Sequence, residues 1–134
     1  METLNDAAFG IMNYQHSWSK QESILLFDEA YKIKITAQAY KGDGITDSQR
    51  ESYKNYRNFL ENNKEKIEQE LLKYCQKFYE CNESLESILT PTEILFEKNG
   101  SWGVLFESRC DQEHGLAFFV KDNKILVDSQ DIFL

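Results

Sequence analysis

The chain has 134 residues, a net charge of −8 at neutral pH, 41% hydrophobic and 28% charged residues. That is the size and balance of one ordinary domain, here residues 1–134, with enough chain to bury a core without disulfide staples. Three cysteines without paired spacing, one proline and six glycines exclude a disulfide framework and a disordered linker.

The N-terminus lacks the basic region, apolar run and cleavage site of a secretory signal. The longest apolar run, Leu116 to Val120, falls far short of the roughly 20 residues that span a bilayer. The expectation is a cytoplasmic protein with no membrane partner. Residues 1–60 carry eight acids and seven bases, whereas residues 61–134 carry fifteen acids and eight bases. Phosphate binding needs Lys and Arg on the contact face, so nucleic acid is not the expected partner. An acidic face suits a basic protein partner.

In chain order, Phe9-Gly10-Ile11 opens a short strand, and the apolar run Ile24–Phe27 is a second, followed by a turn at Asp28-Glu29. Tyr31 to Tyr40 alternates apolar and polar residues, the pattern of a strand with one wet face. Lys41-Gly42-Asp43-Gly44 breaks it. Thr46 and Gln49 then form a capping box. Apolar residues at spacings of three, four, seven and eight predict helices over about Asp47–Asn62 and Lys64–Glu80, interrupted at Asn62-Asn63. Cys81 to Thr90 reads as an acidic connector pinned by Ile88-Leu89. Strands follow at Ile94–Glu97 and Trp102–Phe106 around Asn99-Gly100, a signature of a type I′ hairpin. Leu116–Val120 and Ile125–Val127 complete the set, joined by a turn at Asp122-Asn123.

The order strands, helices, strands predicts an α+β fold: a mainly antiparallel sheet from the N- and C-terminal strands, with the two central helical segments packed on one face. Most aromatic residues then belong to the core.

Two local clusters could carry function. The hexapeptide Cys110-Asp111-Gln112-Glu113-His114-Gly115 holds one of two histidines among acids. Glu113 and His114 are adjacent, so a strand would point them to opposite faces, and a metal site needs three or four ligands at workable spacing. Cys110 has only Arg109 to stabilise a thiolate. The expected role of this segment is structural, with His114 bonding a neighbouring strand and Gly115 permitting a bulge. The second cluster, His16-Ser17-Trp18, reads as a cap on the end of the sheet. No phosphate loop, dinucleotide fingerprint, nucleophile elbow or paired-histidine helix occurs.

Phe9-Gly10, Gln49, the strand–Asn99-Gly100–strand unit, Glu113-His114-Gly115 and Gln130-Asp131 together resemble a family of small bacterial domains of unknown function. These in turn resemble the immunity proteins that protect bacteria from polymorphic or contact-dependent toxins. The resemblance implies an α+β protein that works by binding, without catalytic residues or cofactors. The partner would be a cognate toxin domain, basic and nuclease-type, met through Glu80, Glu83 and Glu86 in the connector and through Asp111 and Glu113. The alternatives are a metal-assisted hydrolase built on Asp111, Glu113 and His114, and a structural or homodimeric protein.

Overall fold

The structure, a computed structural model, describes residues 2–79 and 83–133. Eight strands form one sheet in sequence order: β1 (Thr3–Asp6), β2 (Gly10–Gln15), β3 (Ser17–Leu26), β4 (Glu29–Ala37), β5 (Leu89–Phe96), β6 (Trp102–Ser108), β7 (Asp111–Lys121) and β8 (Lys124–Asp128). Between β4 and β5 lie α1 (Asp47–Asn62), α2 (Lys64–Phe78) and the short α3 (Leu85–Ile88); α4 (Gln130–Phe133) follows β8. Every neighbouring pair is antiparallel except β4 and β5, which run parallel because the helices carry the chain back across the sheet.

This corrects the expected architecture. The fold is sheet-dominated, 45% strand against 30% helix, and not a sheet whose second layer is two helices on one face. The strands are more numerous and longer than hydropathy reveals. β1, Thr-Leu-Asn-Asp, has no apolar alternation, and its Asp6 is buried in a turn. The first half of β3 was hidden for a different reason. Its residues Trp18, Lys20, Glu22, Ile24 and Leu26 share one face of the strand, and two of the five are charged because tyrosines of α1 reach over them.

Thr46 and Gln49 form the expected capping box, and the helix break falls at Asn63. Gln49 goes further than a cap. Its side chain is fully buried, and Nε2 donates to the backbone oxygens of Gln38 (2.9 Å) and Phe96 (3.0 Å) while Oε1 accepts from Thr46 N. It thereby stitches the start of α1 to the ends of β4 and β5. Tyr56 of α1 lies edge-on to Phe96 and Trp102, and Phe9 stacks on Tyr53 at 4.2 Å. With Ile67, Leu71 and Cys75 of α2 these form the main core.

Turn chemistry brings two further corrections. The Asn99-Gly100 hairpin is not type I′: Gly100 alone has positive φ (92°), with Gly100 N donating to Glu97 O and Glu97 N to Ser101 O. That is a type I turn closed by a glycine bulge. Positive φ at both central residues occurs instead at Asp122-Asn123 (52° and 61°), where a turn of unspecified type was expected, and at Phe27-Asp28 (53° and 62°), one residue before the expected Asp28-Glu29. Among the described residues, no helix is long and apolar enough to cross a membrane.

Candidate functional site

The hexapeptide forms the corner where β6 passes into β7. Ser108 pairs with Asp111 after an irregularity in register, and Arg109 N donates to Ile88 O at 2.9 Å, tying the corner to the end of α3. The Asp111 carboxylate accepts from the backbone N–H of His114 at 3.2 Å and meets Nδ1 of its ring at 3.1 Å. On the other side of the ring, Nε2 stands 3.7 Å from Oδ2 of Asp131. His114 therefore bonds Asp111 of its own strand and faces Asp131 of α4, rather than bonding the neighbouring strand that its sequence position suggested. Gly115 adopts φ +67°, and a Cβ there would lie 2.6 Å from Gln130 Nε2 and 2.8 Å from Phe106 O. Gln130 Nε2 in turn donates to Phe106 O at 2.8 Å.

The two short motifs Glu113-His114-Gly115 and Gln130-Asp131 thus meet in space. The hydrogen bond and charge of Asp111 hold the imidazole above its ordinary pKa, with Asp131 and Glu113 adding to the effect. An imidazolium satisfies both carboxylates at once, so the group acts as a clasp. Asp131 is the partner that sequence reasoning missed; the available signal was its place in a motif, since spacing along the chain says nothing about a contact with α4.

The hydrolase alternative calls for a metal ion held by Asp111, Glu113 and His114. Both ring nitrogens of His114 face carboxylates, and among the described residues no group of three His, Cys, Asp or Glu side chains is placed to hold a metal ion.

The expected contact acids have different fates. Glu83 forms an ion pair with Arg109. Asp111 is consumed by the clasp. Glu86, on α3, is exposed and its charge reaches Tyr31; Glu113 is exposed on β7. Glu80 lies outside the described residues. Trp18 is a cap as expected: it is buried, lies edge-on to Tyr14 at 5.2 Å, and its Nε1 donates to Asp43 O at 2.9 Å.

A second polar cluster was invisible to motif reasoning. Glu22 accepts from the hydroxyls of Tyr53 (2.7 Å) and Tyr56 (3.2 Å), with Arg57 at 3.4 Å and Lys20 at 3.5 Å. Lys20 also donates to Tyr53 Oη at 2.8 Å and to Phe9 O. Burial works against the charged form of Glu22, but the Tyr53 hydrogen bond and the charges of Lys20 and Arg57 outweigh it and lower the pKa. Burial, with Glu22 beside them, pushes both tyrosines up. Asp6 is held low in the same manner: burial opposes ionisation, and the N–H groups of Phe9 and Ala8 with Arg50 prevail. Through Arg50, Tyr53, Tyr56 and Arg57 these networks join α1 to the β1–β3 region. Their evident work is to hold the helix on the sheet.

A family model, the domain of unknown function DUF6985, matches residues 8–134. No curated protein and no solved structure matches the chain. The chain belongs to the DUF6985 family, whose description carries no activity and no link to immunity proteins.

Proposed function

We propose that this chain is a non-catalytic binding protein, an immunity protein that neutralises a basic, nuclease-type toxin by direct contact. The observation that carries the reading is the fate of the hexapeptide. The one histidine set among acids is spent on a clasp with Asp111 and Asp131, while Glu86 on α3 and Glu113 on β7 stay exposed. Residues 61–134 hold fifteen acids against eight bases. A nuclease grips phosphates through cations, and carboxylates on a rigid frame can stand where those phosphates would. Acidity also speeds the encounter with a basic partner. In this role the protein works in the cytoplasm of the cell it protects, and Glu83 contributes once its pair with Arg109 opens.

The test is co-expression with a candidate toxin domain encoded beside this gene, reading growth rescue and co-purification. Wild type is expected to rescue growth and to retain the toxin. The double reversal Glu86→Lys/Glu113→Lys inverts the outward charge without replacing Asp111, His114 or Asp131, and is expected to weaken both. Binding indifferent to this reversal and to added salt would reject the acidic corner as the contact surface.

A further inference from the structure

At the opposite side of α1 from its capping box, a groove of about 520 Å³ runs between the β3–β4 turn and the junction of α1 with α2. Its floor is apolar, formed by Leu26, Phe27, Leu60 and Ile67. Its helical rim carries Arg57, Glu61, Lys64 and Glu68. Asn63 N donates to Phe59 O and Ile67 N to Asn63 O, both 2.9 Å, so Asn63 ends α1 and begins α2 with no loop between them. The four charged residues, two from each helix, line the same groove. On the facing rim stands Leu25, 74% exposed, the most exposed large hydrophobic residue described.

The order of signs along the rim is plus, minus, plus, minus. Read in the reverse direction it becomes minus, plus, minus, plus. A second copy of the same edge, laid antiparallel about a two-fold axis through Asn62-Asn63, sets Arg57 against Glu68 and Glu61 against Lys64, and each pair occurs twice. Such self-complementarity is what an isologous interface requires. Leu25, on the facing rim, is the exposed apolar side chain that docking at this groove would remove from water.

We propose that this groove is a homodimer interface, its occupant a second copy of this chain. Within each copy Arg57 also meets Glu22, and Lys64 also meets Asp28. These internal pairs hold the basic side chains in place at the rim, so less freedom is lost on docking. The acidic corner at β6–β7 is built from other residues, so a dimer through the groove leaves it accessible, and the two proposals fail separately.

The test is sedimentation equilibrium of the full chain at low and high salt, with charge-altered pairs. Wild type is expected to dimerise, more weakly at high salt. Glu61→Lys/Glu68→Lys makes the rim uniformly basic without touching the internal pairs, and is expected to weaken dimerisation at least about tenfold. Arg57→Glu/Lys64→Glu makes it uniformly acidic. Mixed together, the two variants are expected to form a heterodimer that neither forms alone. If the acidic variant does not fold, the basic variant with Leu25→Asp decides. A wild type that stays monomeric at its highest soluble concentration would overturn the proposal, as would a dimer indifferent to Glu61→Lys/Glu68→Lys and Leu25→Asp.

Discussion

Nε2 of His114 and Oδ2 of Asp131 stand 3.7 Å apart, and this proximity ties α4 to the start of β7. The tie has a pH dependence whose sign follows from the raised pKa of His114, due first to its bond with Asp111. A group whose folded pKa lies above its unfolded value of 6.5 stabilises fully below that value, and the contribution is lost as pH rises through the folded pKa. Thermal melts are therefore expected to show a loss of stability on raising the pH through this window, absent in His114→Gln. An NMR titration of the His114 ring should give a midpoint above the ordinary value, moving down in Asp131→Asn. A midpoint at or below the ordinary value would mean that the clasp does not form in solution. Asp6 and Glu22 act on the other limb. Their lowered pKa values stabilise above the unfolded carboxylate range, and that contribution disappears as pH falls through the folded values.

Gln49 is expected to be among the costliest polar residues to replace. Gln49→Ala keeps the backbone bond from residue 49 N to Thr46 Oγ1 but removes the side-chain half of the capping box, and leaves the carbonyls of Gln38 and Phe96 without their Nε2 donor. Losing a buried hydrogen-bonding partner costs roughly 1–3 kcal/mol, and the lost half of the cap adds to this, within the roughly 1 kcal/mol of a whole cap. Urea unfolding should show a loss of about 2–4 kcal/mol with little change in slope. A loss below about 1 kcal/mol would show that water replaces the side chain.

Gln49 also shows how far the sequence could be read. The capping box was visible, since Thr46 and Gln49 stand at the required spacing, and so were the limits of α1 and the Asn63 break. The far half of Gln49's work was not, because it depends on β4 and β5 lying side by side. The strands with clean alternation, β4 foremost, were legible. β1 and the start of β3 were not, because their inward positions are polar and matched by tyrosines, arginine or backbone N–H groups from elsewhere. A hydropathy pattern registers burial only when the buried group is apolar. The corner at Gly115 was readable as a structural bend but not as a clasp, since the partners on α4 arrive through tertiary packing.

Gly115 offers a test of that packing. Its φ of +67° disfavours any side chain, and a Cβ would press on Gln130 Nε2 and on the backbone oxygen of Phe106. Gly115→Ala is expected to cost about 1–3 kcal/mol. Part of that loss comes from pushing Gln130 off Phe106 O, which Gln130→Ala removes by itself. The double variant should therefore lose less than the sum of the two, by at least about 0.5 kcal/mol. Strict additivity in a denaturation cycle would separate the glycine from α4.

Phe27 poses the opposite case, a bulky residue held at φ 53° with its ring stacked on Phe106 at 5.8 Å. The ring is 6% exposed, so its burial against the core supports a backbone conformation that the residue itself disfavours. Phe27→Ala keeps the unfavourable φ and loses the ring, and is expected to cost about 3–5 kcal/mol. Phe27→Gly loses the same ring but adopts positive φ without steric cost. At an ordinary position glycine is worse than alanine by roughly 0.5–1 kcal/mol. Here the order should invert, with Phe27→Gly as stable as Phe27→Ala or more so. Chemical denaturation of the two variants decides the matter: alanine clearly above glycine would place Phe27 in an ordinary backbone conformation, and the turn would then owe its shape to Asp28 alone.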